Sequence, residues 1–409
     1  MTDLKGIAYL KNKLELKRSR GLLRYKFYEQ KQQAIDFGIS TPKGLEWFGS
    51  VNGWCTKAVD GLADRLQFDK FDNDNFMFQE MYDLNNPDLI FDNAILSALI
   101  TSCCFIYISR NADGQPRFQV IDGTNATGII DEFTELLTEG YAVLSRDDND
   151  NVVTYAYFEP GRTTVYEVGR NGDAPIAVEE TNAAYAALVP IIYKPDARRP
   201  FGHSRISRFC MDIAKSAMRT VKRSEISAEF YSFPQKYATG LAQDAEQMDT
   251  WQATMSAMLS FTKDDDGDRP QLGQFQQQSM TPHLEQLKAF ASMFAGETGL
   301  TLDDLGFVTS NPSSAEAIKA AHETLRLAAV KAQRCFGVGF INTGFIGACV
   351  RDNRPYERRE VYKTMAIWKP TFEPDAAMLS VIGDGVIKLN QAIPDYITEE
   401  RIHRLTGIE

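Results

Sequence analysis

Apolar side chains recur along this chain at two different spacings, and the change from one to the other divides it. Over residues 4–33 the spacing is three to four, which predicts a helix, and Lys11, Lys13, Lys17, Arg18, Arg20, Arg24 and Lys26 concentrate positive charge there. That charge reads either as a solvated helix face, the simpler case, or as a basic arm for an anionic partner. Trp47 and Trp54 bracket a glycine-containing turn. A second amphipathic helix follows, with Val59, Leu62 and Leu66 inward and Asp60, Asp64 and Arg65 outward. The uncharged run Ala94 to Ser109 (AILSALITSCCFIYIS) is interrupted by Ser97, Thr101 and Ser102 and falls short of the ~20 apolar residues a membrane helix needs. It predicts a buried helix running into a strand, in a soluble protein.

From Cys104 the spacing becomes two. CFIYISRN, a turn at Ala112-Asp113-Gly114, and RFQVID predict a hairpin, because Asp-Gly supplies the positive φ angles that a tight turn requires. YAVLSRD, a polar turn over 147–151, and VVTYAYFE predict another. TTVYEVG and a later strand extend this β-rich region to about Tyr193, and the Pro- and Gly-bounded segment 194–202 (KPDARRPFG) ends it.

Beyond that break the helical period returns. Over 204–230, Ile206, Phe209, Cys210, Ile213, Ala217 and Val221 share one face, while Arg205, Arg208, Lys215, Arg219 and Lys222 share the opposite one. A mixed polar stretch follows, with a helix expected over 245–259 and an acidic turn at 264–268. A helix over 282–297 carries Leu284, Leu287, Phe290, Ala291 and Phe294 inward, and a Gly-, Asp- and Asn-bearing loop occupies 299–312. Ser313-Ser314-Ala315-Glu316 reads as a capping box opening a long Ala-rich helix through Ile318, Ala321, Leu325, Ala328, Ala332 and Phe336. The tail from Ala376 is again helical, broken at Pro394, with Thr398 as the cap of a last short helix.

Charge and candidate chemistry narrow the function. The chain has 409 residues and a formal net charge of −11, which argues against a free-standing nucleic-acid clamp, since such a protein gains affinity by neutralising phosphates. It does not exclude a channel through which DNA slides without sticking. Six cysteines without a CxxC pair point to a reducing cytoplasm. No GxxxxGK loop followed by Ser or Thr is present, so no ATP-driven motor is written here. His322-Glu323 lacks the second His of a zinc-protease helix, and four histidines leave little for a triad or metal cluster. Gly337, Gly339, Gly344 and Gly347 lack the context of a dinucleotide site. Asp264, Asp265, Asp266 and Asp268 surround Gly267, but counting back puts Thr262 at the first calcium-loop position and the closing Glu is missing, so a solvated turn is the simpler reading. No catalytic residue, metal or cofactor is expected.

The ordered series GLLRYKFYEQKQQAIDFGI, VNGWCTKAVDGLADRLQF, VPIIYKPDARRPFGHSRISR, AEFYSFPQKYATG, RPQLGQFQQQSMTPHLEQLKAFASMFAGETGLTLDDLG, NPSSAEAIKAAHETLRLAAVKAQRCFG, WKPTFEPD and GVIKLNQA resembles the portal (head-to-tail connector) proteins of tailed bacteriophages, in particular the smaller siphophage portals. The resemblance implies an α+β, mainly helical portal fold: a wing (1–199), a stem helix (200–230), a clip (231–281), a second stem helix (282–298), a tunnel loop (299–313), a long helix returning to the wing (314–370) and a short crown (371–409). It also implies a non-enzymatic subunit of a closed ring of about twelve copies at one capsid vertex, assembled in the host cytoplasm, through which double-stranded DNA enters and leaves. The implied partners are the terminase large subunit, the major capsid and scaffolding proteins and a head-tail adaptor, with no membrane. In that setting Arg205, Arg208, Lys215, Arg219 and Lys222 are candidate DNA-facing cations, or else pair with acids such as Glu225 or Glu285 of neighbours. Asp303, Asp304, Thr309, Ser310 and Asn311 are the candidate tunnel loop, and Asp264, Asp265, Asp266 and Asp268 a candidate clip surface. Two other readings are a minor head protein without a channel and a metal-dependent nuclease built on Asp264 to Asp268, which would lose its activity in Asp266→Ala.

Overall fold

The computed structural model describes residues 4–33, 49–170, 172–232, 236–239, 271–274, 279–307, 320–371 and 376–406. The chain divides into two compact units, one made of Met1–Lys31, Gly53–Met211 and Ala295–Glu409, the other of Gln32–Asn52 and Asp212–Phe294. The fold is α+β.

In the first unit the order is α1 (Ile7–Tyr28), α2 (Trp54–Ala63), β1 (Phe68–Asp72), α3 (Phe78–Asp83), α4 (Pro87–Thr101) and then eight strands, β2 (Cys103–Arg110), β3 (Pro116–Ile121), β4 (Ala126–Ile130), β5 (Leu137–Arg146), β6 (Val152–Glu159), β7 (Arg162–Glu167), β8 (Ala174–Glu180) and β9 (Leu188–Ile192). Strands β4 to β8 form an antiparallel meander in chain order, and β3-β2-β9 form a separate antiparallel sheet. Both expected hairpins are present. Between β2 and β3, Asn111 Oδ1 accepts the amides of Asp113 (3.0 Å) and Gln115 (2.8 Å), and Gly114 takes φ +81°. Between β5 and β6, the Asp147 carboxylate accepts the amides of Asn149 and Asn151. The uncharged run is indeed a helix feeding a strand: α4 ends at Thr101, Ser102 turns the backbone through φ 92°, and β2 starts at the next residue.

The chain enters the second unit within α5 (Arg208–Ser232) and leaves it within α6 (Thr281–Thr298); β10 (Lys236–Thr239) and β11 (Gln271–Gln274) pair antiparallel between them. Back in the first unit come a single 3-10 turn (Asp303–Leu305), α7 (Glu323–Asp352), β12 (Met365–Trp368), α8 (Ala376–Ala392) and α9 (Glu399–Thr406). Strand β12 pairs with β1, Phe68 opposite Trp368, which joins two segments distant in sequence. The helix expected over 245–259 and the capping box at Ser313 lie outside the described residues.

Helix α7 is the centre of the core. From Asn342 to Val350 it is buried without a break. Two residues earlier, the Phe340 ring lies edge-on to Phe91 (4.6 Å between centres) and near Phe68 and Trp368 (6.2 Å each), while Phe91 stacks on Phe68 (4.1 Å) and Tyr82 (4.9 Å). Four elements thus meet on one helix through ring contacts, each large in buried area. The helix glycines serve this packing: a Cβ on Gly344 would stand 2.6 Å from Cγ of Phe78, and one on Gly339 would stand 2.8 Å from Cδ1 of Ile191.

Helix α1 docks on the meander, burying Leu10 and Leu14 against Tyr141, Val143, Tyr155 and Tyr157. Its first turn has no side-chain cap of its own. Instead the carboxylate of Glu139, only 1% exposed on β5, accepts the amides of Lys5 (2.9 Å) and Gly6 (2.7 Å) and the Tyr157 hydroxyl (2.7 Å). An anion at the amide end of a helix also meets the positive end of its dipole. Further along, Arg18 pairs with Asp150 at 2.6 Å, and Lys13 donates to the Gly128 carbonyl at 2.6 Å.

Burial, and then the Lys17 and Lys5 charges, lower the Lys13 ammonium from the ordinary 10.5 to about 8. Between those two values the unfolded chain holds more protons than the folded one, so the charged-state penalty on folding is relieved as pH rises from about 8 to 10.5. Lys13→Met is expected to flatten that rise. Urea midpoints of both proteins across this range check it, and parallel pH curves would refute it.

Two residues depart from the expected apolar faces. Phe209 is 42% exposed and Leu284 62% exposed, although their helical neighbours Cys210, Ile213, Ala291 and Phe294 are buried. Helical spacing fixes which side chains share a face, whereas covering the whole length of that face takes protein on every turn. Helix α5 also starts at Arg208 and not near Ser204. The Ser204 hydroxyl donates to the Ile100 carbonyl (2.5 Å), and Ser207 caps the helix by accepting the Cys210 amide (3.2 Å).

Candidate functional site

Helices α5 and α6 run side by side in the second unit. Thr220 Oγ1 lies 3.2 Å from Gln286 Oε1 and Ser227 Oγ 3.3 Å from His283 Nε2, so the pair is antiparallel. Ala214, Ala217, Met218 and Ile226 are buried on the α5 side and Ala291 and Phe294 on the α6 side. Ser50 Oγ donates to the Met218 carbonyl at 2.6 Å, which ties residues 49–52 to the same unit.

The five expected cations have different surroundings. Arg205 precedes α5 in the first unit and directs its guanidinium to the carbonyls of Ala58 (3.2 Å) and Thr298. Arg208 is exposed. Lys215 is half-buried, 3.7 Å from Asp212, and Arg219 is half-buried with Nη2 3.0 Å from Ser216 Oγ. Lys222 is buried, 8% exposed. Exposure thus falls along the basic face from the start of α5 inward. Glu225 and Glu285 are exposed.

The loop after α6 is built by a reciprocal cap not singled out in the sequence, although its Thr-x-x-Asp pattern is visible there. Thr301 Oγ1 accepts the Asp304 amide (3.2 Å), and the Asp304 carboxylate accepts the Thr301 amide (2.8 Å) and hydroxyl (2.9 Å). The same carboxylate lies 3.8 Å from Nδ1 of His322, which places His322 beside the turn. Asp303 is exposed and Gly306 closes the turn at φ +90°. Thr309, Ser310 and Asn311, like Asp264, Asp265, Asp266 and Asp268, lie outside the described residues.

Among the described residues no three of His, Cys, Asp and Glu come together as a metal group. Glu323, the neighbour of His322, is held by Arg326 at 2.7 Å. All six cysteines are free thiols, and burial raises them, Cys103 to about 11, the opposite of what a nucleophile needs. A cleft of about 760 Å³ in the first unit has Asp60, Asp64, Asp88 and Asp92 on its walls with Lys369, over Phe68 and Phe91. Burial, with Asp88 and Asp64 close by, raises the Asp92 carboxyl. Among the described residues no helix is long and apolar enough to cross a membrane.

The family model described as phage portal protein, SPP1 Gp6-like, matches residues 65–342, a stretch that runs from β1 through most of α7. The portal protein of Mycobacterium phage L5 is 22% identical over 323 residues, covering 73% of this chain and 65% of that protein, so the chain spans a little under two thirds of that relative's length. Two solved structures are similar at 12% identity, each over 88% of this chain and 90% of theirs: the neck of a native gene transfer agent particle computed with C12 symmetry (TM-score 0.45) and the virion of that particle (TM-score 0.44). With the family model matched over well more than half of its residues, the chain belongs to the phage portal protein family.

Proposed function

We propose that this chain is the structural subunit of a closed ring of about twelve copies at the portal vertex of a tailed-phage capsid, through which double-stranded DNA passes during packaging and ejection. Helices α5 and α6 act as the stem, with 231–281 as clip, 299–313 as tunnel loop, 1–199 and the return helix as wing and 371–409 as a short crown. The observation that carries this reading is the position of the helix pair. The chain leaves the first unit through α5, forms a strand pair, and returns through α6, and the whole excursion lies inside the family match of residues 65–342. An antiparallel helix pair offered by each copy is a unit that repeats around an axis as a wall. The clip then faces the terminase large subunit and later a head-tail adaptor, and the wing faces the capsid and scaffolding proteins.

Chemistry supports a guide more than a grip. Each bound phosphate releases counterions and adds adhesion, so a channel suits sparse cations within an acidic body, here −11 per chain. In this reading Arg208, Lys215 and Arg219 belong to the DNA-facing wall and Arg205 anchors its base, whereas Lys222, being buried, is left out of that wall. Electron microscopy of the purified full chain, alone and with its shell protein, is expected to show annular particles with an axial hole. A monodisperse compact monomer under every assembly condition would overturn the proposal. Magnesium-dependent cleavage of DNA that disappears in Asp266→Ala would assign a nuclease instead.

A further inference from the structure

We propose that α1 and the segment leading into α5 form a second contact for duplex DNA, a cationic stripe that lies along the phosphates of one strand. Its choice of DNA as the polyanion rests on the channel reading above; the stripe itself rests on geometry. Lys13, Lys17, Arg20 and Arg24 follow one another at four-, three- and four-residue steps, so they share a helix face and span about 16 Å at 1.5 Å per residue. They flank the seam along which Leu10, Leu14 and Gly21 are buried.

Two independent anchors lay residues 199–208 beside that face. The Lys13 and Lys17 ammonium groups each stand 5.0 Å from the centre of the Phe201 ring. One turn beyond Arg20, Arg24 Nε donates to the Ile206 carbonyl at 3.2 Å. Phe201 brings Arg199 to the stripe, and Ile206 brings Arg208. Six cations from two segments are thereby gathered in a protein of net charge −11.

No ion pair among the described residues relieves their mutual repulsion. Arg18, on the same helix, turns away to Asp150, and the local acid Asp196 is taken by His203 (2.6 Å) and by the amides of Arg198 and Arg199. Among the described residues no carboxylate forms an ion pair with Lys17, Arg20, Arg24 or Arg208. Burial and then Arg20, Arg208 and Arg199 all lower the Arg24 guanidinium, the sign of cations held close without a counter-charge. A polyanion supplies that charge. One DNA strand carries a phosphate every ~3.4 Å of axis, so a stripe of about 16 Å runs past four or five of them. The planar guanidinium groups suit bidentate phosphate contact.

The test uses the full chain, a fluorescein-labelled duplex of arbitrary sequence, and anisotropy from 50 to 200 mM salt. Lys17→Gln with Arg20→Gln, both exposed positions, is expected to weaken duplex binding about tenfold and to lower the slope of log Kd against log salt by nearly two. The pair Lys11→Gln with Lys26→Gln removes the same charge from exposed positions on other faces of α1 and is expected to leave both quantities near wild type. Equal losses in the two pairs would overturn the stripe, as would no duplex binding by the wild type at 50 mM salt. Stronger binding to labelled poly-glutamate than to duplex would assign the surface to an acidic protein segment instead. Ring formation is scored by microscopy in the same preparations. Rings without stripe-dependent binding sink this inference alone, and stripe-dependent binding without rings sinks the channel reading alone.

Discussion

Phe340→Ala is expected to lower the unfolding free energy by about 3–5 kcal/mol, the range for removing a large buried aromatic. The ring is fully buried, and its contacts reach Phe91 on α4, Phe68 on β1 and Trp368 on β12, while its backbone carbonyl accepts the Tyr82 hydroxyl at 2.9 Å. Deleting it opens a cavity bordered by three helices and a strand pair, which cannot all collapse inward together. Urea unfolding followed by tryptophan fluorescence reads the effect, with Trp368 as a local reporter. Phe340→Leu keeps most of the volume and is expected to lose about half as much. A change under about 1 kcal/mol in the alanine variant would mean that α7 does not organise this core.

Glu139→Ala is expected to lose about 2–3 kcal/mol, because a charged acceptor disappears and leaves three donors without it. The loss is local. With the amides of Lys5 and Gly6 released, the first turns of α1 fray and Leu10 and Leu14 lift from Tyr141 and Tyr155. Hydrogen exchange is expected to speed up over residues 8–14 while α7 stays protected. Tyr157→Phe removes one donor and not the acceptor, so it should cost about 1 kcal/mol and leave α1 protected. Burial, and then the Glu139 carboxylate, also raise the Tyr157 phenol above its ordinary range. Unchanged exchange in α1 of Glu139→Ala would rule out the strand-borne cap.

Local chemistry was readable in the sequence where the interaction itself is local. The hairpin at Gly114, the helix-to-strand run through Ser102 and the break before α5 each depend on residues within a few positions of one another. Strands β1 and β12 were not foreseen, because FDKFD and MAIW are short and owe their state to a partner at the far end of the chain. Strand β4 was missed for a similar reason: ATGII has no alternation and is made a strand by β5. At the site, spacing identified the basic face of α5 but not that Arg205 turns to the carbonyls of Ala58 and Thr298 or that Lys222 is buried, since both depend on chain distant in sequence. The charge on α1 was visible, and its convergence with Arg199 and Arg208 was not, since that needs Phe201 and Ile206 folded against the helix. The family resemblance carried further than any of these, because it reads the order of many segments at once.

The first unit is drawn from three separate stretches of chain, with the second spliced between them. A ribosome therefore releases Phe68, Tyr82 and Phe91 well before Phe340, and the aromatic core stays open until the returning helix has been synthesised. Until then the rings of the first stretch have no Phe340 to pack against. Lengthening or shortening the stretch from 240 to 270 leaves both halves of the host core encoded, whereas a stop codon ahead of Phe340 discards the half that closes it.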